Sequence, residues 1–351
     1  MNFTNNDLSE IDRIEDVEQL EEMLSRPTEG VIETMRRVEG DIVVLGVGGK
    51  IGPSLARMAR RASDEAGVAR RIFGVARFSS GELQQQLQSQ GIETVRCNLL
   101  DRAALAALPE APNVLYLAAM KFGSSGQTGM TWAMNTYLPG MVAERYPKSR
   151  IVAYSTGNVY PMVPVESAGS LETDAPSPVG DYAMSCLGRE RILTHFSLEN
   201  GTPVALIRLN YAHECRYGVM VDIAQQILAC KPVDLSMGYF NAIWQGDNNA
   251  ITLQSLAHVA SGPCVLNVTG PEKLPVRDVA EEIGRLVGKP VRFAGTEAPD
   301  AFLSNAAKSI ELFGQPRVPA ERFLRWIADW QGRGGPSLGK PTKFQSRNGA
   351  F

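Results

Sequence analysis

The glycine-rich stretch at residues 41–52, DIVVLGVGGKIG, has the composition and spacing of a ligand-binding segment. Apolar, strand-forming residues run into a loop that contains Gly46, Gly48, Gly49 and Gly52, and an amphipathic segment follows. Glycine lets a backbone turn sharply and approach a ligand closely, and the free N–H groups at the start of a helix bind phosphate. The stretch therefore predicts a strand, a tight turn and a helix that hold the pyrophosphate of a dinucleotide. A plain strand-to-helix connection is the alternative interpretation.

Arg77 bears on the choice of dinucleotide, because it ends the next predicted strand, 71–77. A carboxylate at this position would accept hydrogen bonds from the ribose hydroxyls and favour NAD, but the next acidic residue is Glu82. A guanidinium group can instead pair with a 2′-phosphate through two hydrogen bonds. The sequence therefore favours NADP, and NAD remains compatible if Arg77 stacks on the adenine.

Strands and helices alternate along the middle of the chain. Strands are predicted at 41–46, 71–77, 92–97, 113–118, 150–155 and 203–208, and helices at 51–66, 80–90, 102–108, 127–145 and 181–199. Successive strand–helix units form a parallel sheet that is covered on both faces, so the fold class is α/β with a doubly wound, Rossmann-type sheet. After residue 209 the alternation ends, which predicts a smaller mixed C-terminal region in which 263–270 is one further strand.

Both ends of the chain lie outside this alternation. Apolar residues at three- and four-residue spacings predict a helix over Leu8 to Leu24, and a second helix is predicted over 28–37. We expect this extension to pack on the outside of the core or on a second subunit. The tail at 332–351 is rich in glycine and polar residues, and it is expected to be an irregular strap.

The composition excludes several classes of function. The 351 residues carry a formal net charge of −3, which gives no electrostatic basis for binding nucleic acid or an anionic membrane. The five cysteines are scattered and the three histidines lie far apart, so neither a disulfide framework nor a metal site is expected. The N-terminus lacks the apolar core of a signal peptide, and no apolar run is long enough to cross a bilayer. These features predict a soluble, cytoplasmic protein that acts on a small molecule.

An ordered series of motifs connects the glycine loop to a known family. The series comprises Gly46-x-x-Gly49-x-x-Gly52, Asn98-Leu99-x-Asp101, Leu117-Ala118-Ala119, Asn135, Ser155-Thr156-x-x-Val159-Tyr160, Tyr182, Arg208-Leu209-Asn210 and Asn267-Val268-x-Gly270. With this series, residues 41–333 resemble the extended short-chain dehydrogenases, the NAD(P)-dependent epimerase/dehydratase family. Each motif alone is weak evidence for the family, but the whole series in this order is specific to it.

The resemblance implies hydride transfer at a hydroxyl or keto carbon of a sugar, a sugar nucleotide or a similar polyol. In this family a tyrosine exchanges the hydroxyl proton with help from a serine or threonine, which assigns these roles to Tyr182 and Thr156. The resemblance and the glycine loop together give a cofactor-binding set of Gly46, Gly48, Gly49, Lys50, Ile51, Gly52, Arg77, Asn98, Leu99, Ala118, Ala119, Lys121, Ser155, Tyr182 and Asn210. Substrate contacts are expected from Asn158, Tyr160 and His213.

Cys186 departs from the family pattern, which has a lysine four residues after the tyrosine. A phenol has an unperturbed pKa of about 10, so it is a poor base at neutral pH unless a positive charge favours the phenolate. A neutral thiol supplies no such charge. The replacement is Lys121, which resembles a lysine of some sugar-nucleotide epimerases, or Arg189, or the oxidised nicotinamide itself; we favour Lys121, with a catalytic role beside Tyr182.

A second departure from the family pattern narrows the types of reaction that are expected. Sugar 4,6-dehydratases of this family have an acidic pair after the threonine, whereas Thr156 is followed by Gly157 and Asn158. Elimination is therefore disfavoured, and redox chemistry or epimerisation remains. The alternative hypothesis is a non-catalytic NADP-binding sensor or scaffold that has lost the active-site lysine.

The sequence divides into four segments. Residues 1–40 form the helical extension, 41–210 the dinucleotide-binding domain with the active-site helix, 211–333 the main substrate-binding region with some return to the core sheet, and 334–351 the irregular tail. The expected partners are a sugar-like small molecule and, as a compatible assembly, a second copy of the chain.

Overall fold

The computed structural model describes residue 8 and residues 11–79, 81–121 and 126–349. Its centre is a seven-stranded parallel sheet with the spatial order β7-β6-β5-β4-β1-β2-β3. The strands are β1 (Ile42–Leu45), β2 (Ile72–Ala76), β3 (Glu93–Arg96), β4 (Asn113–Tyr116), β5 (Arg150–Thr156), β6 (Val204–Leu209) and β7 (Cys264–Val268). The predicted doubly wound α/β fold is confirmed, and the strand predicted at 263–270 completes one edge of the sheet.

Helices cover both faces of the sheet and recur through the C-terminal region. They are α1 (Val17–Leu24), α2 (Glu29–Arg37), α3 (Gly52–Glu65), α4 (Gly81–Ser89), α5 (Arg102–Ala106), α6 (Thr128–Trp132), α7 (Leu138–Arg145), α8 (Gly180–Asn200), α9 (Val219–Leu228), α10 (Gln245–Gln254), α11 (Val276–Val287), α12 (Ala307–Phe313) and α13 (Ala320–Gly332). No helix in the described ranges is both long and apolar enough to span a membrane.

Four pairs of two-residue strands organise the region beyond the central sheet. Val163–Pro164 pairs with Asp300–Ala301, Ala212–His213 with Ile243–Trp244, Val233–Asp234 with Phe293–Ala294, and Tyr239–Phe240 with Leu274–Pro275. Helices α9, α11 and α13 pack on one another around an apolar core that includes Ile223, Ile283 and Ile327, each fully buried. This region therefore has its own core beside the sheet.

The N-terminal extension differs from the prediction in length and in position. Helix α1 begins at Val17 and not near Leu8, because the Asp16 side chain accepts a hydrogen bond from the backbone N–H of Gln19 and caps the helix there. The extension does not lie outside the core, since Leu24 and Met35 are completely buried. Helix α2 packs on α3 and α10, so the extension is part of the globular core.

The helix predicted at 127–145 is interrupted. One π-helical turn, Ala133–Tyr137, separates α6 from α7, and Pro139 follows in the first turn of α7. Proline cannot donate the backbone hydrogen bond of a regular helix, and inserted turns of this kind are common at functional sites. The turn contains the buried Asn135, which contributes to the site described below.

The parallel register brings the loops that follow β1, β2, β4, β5 and β6 to one edge of the sheet. Leu45 of β1 is level with Val75 of β2 and with Tyr116 of β4. The direction of winding reverses at β1 and β4, and ligands of such sheets bind in the crevice at this reversal point. Of the three predicted catalytic residues, Lys121 follows β4, Thr156 ends β5, and Tyr182 lies at the start of α8, the helix between β5 and β6.

Candidate active site

The glycine loop runs tightly against the end of β4. Gly46 has a φ of +90°, and a Cβ at this position would lie 2.7 Å from the backbone nitrogen of Ala118. A Cβ on Gly52 would lie 2.3 Å from the carbonyl oxygen of Val47. Both positions therefore require glycine, as the conformational argument from sequence anticipates.

The start of α3 is open to an anionic ligand. Gly48 and Gly49 are exposed, and among the described residues no side chain caps the first turn of the helix. The first backbone N–H groups of a helix lack partners within the helix and carry a partial positive charge. The loop and the helix start therefore fit the pyrophosphate of a dinucleotide.

Lys50 extends from the glycine loop towards the C-terminal region. Its Nζ donates a hydrogen bond of 2.6 Å to the carbonyl oxygen of Ala212 and lies 4.1 Å from the ring centroid of Tyr217. Burial lowers the pKa of Lys50 to about 7, and the nearby Glu214 carboxylate opposes this shift. The backbone of Lys50 thus lies at the predicted cofactor loop, whereas its side chain connects that loop to the segment after β6.

Two arginines meet at the adjacent ends of β2 and β3. Arg77 is exposed, and its carbonyl oxygen accepts a hydrogen bond of 3.1 Å from Nη1 of Arg96. Arg96 was not predicted, although the parallel register, which pairs it with Ala76, places it beside the end of β2. The predicted motif residue Asn98 is also exposed nearby, while Asp101 caps α5 through the backbone N–H groups of Ala103 and Ala104.

Tyr182 and Thr156 are brought together as predicted. Tyr182 lies in the first turn of α8, and its hydroxyl shares hydrogen bonds with the side chains of Thr156 and Cys186. Burial raises the pKa of Tyr182 well above its ordinary value, while the Arg189 guanidinium and the Thr156 hydrogen bond act in the opposite direction. The phenol is therefore protonated in this state and is placed to give a proton to a reacting oxygen.

Cys186 occupies the position of the family's lysine and is 1% exposed. Burial raises the pKa of its thiol, so the thiol is neutral at physiological pH. A neutral sulfur beside the Tyr182 hydroxyl does not favour the phenolate. The charge that a base requires must come from another residue or from a ligand.

Lys121 places a positive charge beside the ring of Tyr182. Its Nζ lies 5.6 Å from the ring centroid of Tyr182 and 5.9 Å from that of Tyr211. Burial lowers the pKa of Lys121 to about 8, and the Asp222 carboxylate opposes this shift. Lys121 is therefore the side chain that combines contact with Tyr182 and a charge that titrates near neutral pH.

Arg189 supplies a second positive charge, but it is held within the scaffold. Its Nη2 donates to Oδ1 of Asn135 at 3.1 Å, its Nε donates to the Asn135 carbonyl oxygen at 3.3 Å, and its Nη1 donates to the Tyr154 carbonyl oxygen. Arg189 is 2% exposed. Its charge therefore acts on Tyr182 from a fixed position in the scaffold and cannot move with a bound substrate.

Asn135 connects the π-helical turn to the loop that carries Lys121. Its side chain accepts a hydrogen bond of 2.8 Å from the backbone N–H of Met120 and donates one of 3.0 Å to the Met120 carbonyl oxygen. It also donates to Oγ of Ser185 on α8. Because Met120 precedes Lys121 directly, Asn135 fixes the backbone of that lysine relative to the helix of Tyr182.

A buried ion pair holds several of the predicted site residues in the scaffold. Arg208 and Glu190 are 2.8 Å apart, and the Ser155 hydroxyl donates to Glu190. Arg208 also donates to the Tyr160 hydroxyl, which in turn donates to Oδ1 of Asn267 at 2.9 Å. The side chains of Ser155 and Tyr160 are therefore engaged in the scaffold, and only the backbone of Ser155 is compatible with the predicted cofactor contact.

Asn158 and His213, which were also predicted to contact the substrate, differ in whether the fold already uses their polar atoms. Asn158 accepts a hydrogen bond from Thr156, and its buried Nδ2 has no hydrogen-bond partner among the described residues. His213 is fully buried: its Nδ1 is 2.9 Å from the Tyr211 carbonyl oxygen and its Nε2 accepts from the backbone of Met220. Asn158 therefore retains an available donor beside Thr156, whereas both nitrogens of His213 are used by the fold.

Three further residues that were predicted to bind the cofactor lie at the same edge of the sheet. Ala118 is buried at the end of β4 and Ala119 next to it is exposed. Asn210 is buried at the end of β6 and donates to the Phe302 carbonyl oxygen at 3.3 Å. Within the described ranges no cluster of three or more His, Cys, Asp or Glu side chains could hold a metal ion.

The model of the NAD dependent epimerase/dehydratase family matches residues 42–212. No curated protein gives a significant sequence match.

Several solved structures share the fold at low sequence identity. UDP-glucuronic acid 4-epimerase of Bacillus cereus, in complex with UDP-glucuronic acid and NAD, is 19% identical with a TM-score of 0.69, over 84% of this chain and 99% of that one. UDP-glucose 4-epimerase of Thermotoga maritima, with UDP-glucose, is 18% identical with a TM-score of 0.69 over the same shares. The dTDP-glucose 4,6-dehydratase of Bacillus anthracis, with NAD, is 16% identical with a TM-score of 0.71, over 84% and 97% of the two chains.

Proposed function

Because residues 42–212 belong to the NAD-dependent epimerase/dehydratase family, we propose that the protein is an NAD(P)-dependent epimerase or oxidoreductase that acts on a sugar nucleotide or a related polyol. The observation that carries this proposal is the grouping of Tyr182, Thr156 and Lys121 at the edge of the sheet where the glycine loop opens. A shared fold alone would not require a tyrosine, a hydroxyl group and a lysine amine at this place.

The glycine loop and the open start of α3 fit a nicotinamide dinucleotide, with Gly48, Gly49 and Gly52 at its pyrophosphate. The bound nicotinamide supplies the acceptor and donor of hydride. The protein moves the proton: Tyr182 takes it from a substrate hydroxyl on oxidation and returns it on reduction, and Thr156 orients that hydroxyl.

Lys121 replaces the missing lysine of the family in this proposal. Its ammonium lies beside the Tyr182 ring and lowers the energy of the phenolate by electrostatic attraction. Arg189 adds a fixed charge from the scaffold. The site therefore has a source of positive charge although residue 186 is a cysteine.

The proposed cofactor is NADP, with NAD as the competing choice. Arg77 is exposed after β2, where the adenosine ribose is expected, and a guanidinium group can pair with a 2′-phosphate; the neighbouring Arg96 donates to the Arg77 carbonyl oxygen and to the Gln84 side chain. The compared structures with a named cofactor contain NAD. A binding measurement with both dinucleotides decides between these choices.

The proposed substrate class is a nucleoside diphosphate sugar, because the compared epimerases are described with UDP-sugars. Elimination is not proposed, since Gly157 and Asn158 follow Thr156 and supply no carboxylate. The unpartnered Nδ2 of Asn158 offers a hydrogen bond to a sugar hydroxyl. Epimerisation and simple oxidation remain as the two outcomes.

A homodimer is the proposed assembly. Helices α6, α7 and α8 border an apolar groove of about 440 Å³ whose lining includes Trp132, Tyr137 and Phe196. Apolar side chains on the same helices are exposed, among them Met184 at 47% and Leu198 at 63%. Sedimentation of the wild type and of Leu198→Glu tests this: the wild type is expected to be a dimer and the variant a monomer, and a monomeric wild type contradicts the proposal.

The function is tested with purified protein, NAD+ or NADP+, and a panel that contains UDP-glucose and UDP-glucuronic acid. Chromatography of the sugar nucleotides detects epimers, and the absorbance of the reduced nicotinamide detects net oxidation. An epimer without net reduced cofactor identifies an epimerase, and stoichiometric reduced cofactor identifies an oxidoreductase. Binding of the dinucleotide without turnover of any nucleotide sugar or polyol in the panel would contradict the proposed activity and favour a non-catalytic sensor.

A further inference from the structure

Tyr211 has a backbone conformation that large side chains rarely adopt. It lies in the segment directly after β6, and its φ is +48°. In this left-handed region the Cβ crowds the following carbonyl oxygen, so a bulky residue there is an outlier. Residues that are strained in this way are concentrated at active sites and ligand-binding sites, where the surrounding structure holds them.

Two hydrogen bonds to its carbonyl oxygen hold Tyr211 in this conformation. The backbone N–H of Ile243 donates one of 3.1 Å, and Nδ1 of His213 is 2.9 Å away. Nε2 of His213 accepts from the backbone N–H of Met220, so the proton of the neutral imidazole lies on Nδ1 and is donated to Tyr211. Burial lowers the pKa of His213 to about 3, which keeps the imidazole neutral at physiological pH. The fold therefore uses His213 to fix the backbone of Tyr211.

Aromatic packing fixes His213 in turn. Its ring is stacked on that of Phe240, with the centroids 6.0 Å apart and an angle of 10° between the planes. Phe344 of the C-terminal tail is 1% exposed, and its ring centroid is 6.5 Å from that of Phe240. Residues 333–349 have neither helix nor strand, so the predicted irregular tail is docked on this aromatic group. The support of Tyr211 thus extends into the C-terminal region.

The side chain of Tyr211 lies close to the predicted catalytic residues. Its ring centroid is 5.9 Å from Nζ of Lys121, which is itself 5.6 Å from the centroid of the Tyr182 ring. The strand register gives the same placement independently, because Thr156 of β5 is paired with Leu209, the last residue of β6. Tyr211 therefore contributes a second phenol ring at the edge of the sheet that carries the acid–base group.

The hydroxyl group of Tyr211 is available to a ligand. The side chain is partly exposed, and among the described residues its hydroxyl has no hydrogen-bond partner. By contrast, the hydroxyls of Tyr154 and Tyr160 are both hydrogen-bonded within the fold. Burial raises the pKa of Tyr211 above its ordinary value, and the negative charge of Asp222 adds to this shift, so the phenol stays protonated. Tyr211 thus offers one neutral O–H donor to a molecule in the crevice.

We propose that Tyr211 binds the sugar of the substrate by donating a hydrogen bond from its phenol to a sugar oxygen near the carbon at which Tyr182 acts. The sugar is favoured over the diphosphate because a neutral phenol suits a hydroxyl group, whereas phosphates are bound by charged side chains and helix N-termini. The inference rests on the proposed function, because it requires a sugar beside Tyr182. It adds to the sugar site a residue that lies outside the motif series of the sequence.

Tyr211 could instead only pack on the core of the C-terminal region, which its ring contacts. Tyr211→Phe separates the two roles, because phenylalanine keeps the ring and loses only the hydroxyl. A packing role predicts unchanged ligand binding, whereas a sugar-binding role predicts a loss confined to ligands that contain the sugar. Tyr137→Phe is the matched control, since Tyr137 is 50% exposed and its hydroxyl accepts a hydrogen bond of 2.6 Å from Arg102.

The first test measures binding without turnover. Protein saturated with NADPH or NADH is titrated by calorimetry with UDP, UDP-glucose and UDP-glucuronic acid. Tyr211→Phe is expected to bind the two UDP-sugars about fivefold more weakly than wild type, which is the effect of one neutral hydrogen bond. Its affinities for UDP and for the dinucleotide are expected to equal those of wild type. Tyr137→Phe is expected to match wild type with every ligand.

The second test observes the Tyr211 phenol by NMR. Tyrosine that is isotope-labelled at the ring carbon bearing the hydroxyl gives a signal for each phenol, and the signal missing from Tyr211→Phe assigns Tyr211. A saturating amount of UDP-glucose is expected to shift the Tyr211 signal, and UDP is expected to leave it in place. In turnover, Tyr211→Phe is expected to raise the KM for the UDP-sugar about fivefold and to keep kcat within about twofold of wild type.

The outcomes distinguish this inference from the proposed function. Equal affinity of Tyr211→Phe and wild type for the UDP-sugars, or an unshifted Tyr211 signal, would overturn the role of Tyr211 and leave the proposed function intact. An equal loss for UDP and the UDP-sugars, or a loss of dinucleotide affinity, would also overturn it, because the hydroxyl would then act elsewhere than on the sugar. Wild-type protein that binds neither UDP-sugar would contradict the proposed function, and the sugar contact of Tyr211 with it.

Discussion

Replacing Lys121 by methionine removes the charge that we assign to the acid–base step and keeps most of the side-chain volume. The Lys121 Nζ is 5.6 Å from the centroid of the Tyr182 ring. With an effective dielectric constant of about 20, an ammonium and a phenolate at this separation attract each other by about 3 kcal/mol. Lys121 is only partly buried, and screening by water reduces this attraction to about 2 kcal/mol.

A loss of about 2 kcal/mol in the transition state corresponds to a rate about 30-fold lower. The assay is kcat/KM of wild type, Lys121→Met and Lys121→Arg across pH, with the nucleotide sugar found by the panel. Lys121 is charged below its folded pKa of about 8, so the difference between wild type and Lys121→Met is expected at neutral pH and should narrow above that value. Lys121→Arg retains the charge and is expected to keep more activity than Lys121→Met.

The double variant Lys121→Met, Cys186→Lys separates the charge from its location. A lysine at 186 lies one helical turn after Tyr182 and therefore on the same helix face. If a positive charge beside the phenol is what the site needs, the double variant should regain activity that Lys121→Met has lost. Wild-type kcat/KM in Lys121→Met at neutral pH would refute the reasoning, because the phenol would then need no charge from Lys121.

Two further predictions concern the scaffold and the cofactor. Glu190→Gln leaves Arg208 as a buried charge without its carboxylate, and it is expected to lower the free energy of unfolding by about 3 kcal/mol in a denaturant titration. The control Glu82→Gln changes an exposed carboxylate and should leave the free energy of unfolding within about 0.5 kcal/mol of wild type. An equal effect of the two substitutions would contradict the stabilising role of the buried ion pair. Arg77→Ala is expected to weaken NADP binding about tenfold or more and to leave NAD binding nearly unchanged, by calorimetry with both dinucleotides. An equal loss for both dinucleotides would show that Arg77 does not read the 2′-phosphate.

The central sheet was predictable because its signals are local. Each strand of a parallel sheet is buried on both faces, so NVLY of β4 and IVAY of β5 are apolar runs that need no knowledge of their partners. Gly46 and Gly52 were also predictable from local sequence, because a side chain at either position would collide with the backbone of the turn itself or of the adjoining strand.

The partners of the catalytic residues were less accessible to sequence reasoning. The contact of Lys121 with the Tyr182 ring joins the loop after β4 to the first turn of α8, 61 positions further along the chain, and it was reached only through the family resemblance. The position of the Tyr211 ring near the same amine has no local signature. Burial of Glu190 with Arg208 was likewise invisible, because a charged residue in a helix pattern is usually assigned to the solvent face.

The apolar periodicity of the sequence also gave the wrong extent for two predicted helices. Apolar spacing continues from Leu8 to Leu24, yet Asp16 caps α1 and residues 11–16 form no helix. Regular helix was predicted through Asn135, where the structure inserts a π-helical turn that directs the amide at the loop before Lys121. At Asp16 a side-chain hydrogen bond starts the helix later than the apolar periodicity predicts.

Tyr182 is proposed to exchange the proton of the substrate hydroxyl, and Tyr182→Phe removes only the oxygen atom that would do so. The measurement is kcat of the variant with the identified nucleotide sugar and cofactor, beside Tyr137→Phe, whose phenol is 50% exposed on another helical turn. This role of Tyr182 predicts that Tyr182→Phe lowers kcat at least about 100-fold, while dinucleotide binding and the activity of the Tyr137→Phe control remain as in wild type. Turnover of Tyr182→Phe at the wild-type rate would contradict it.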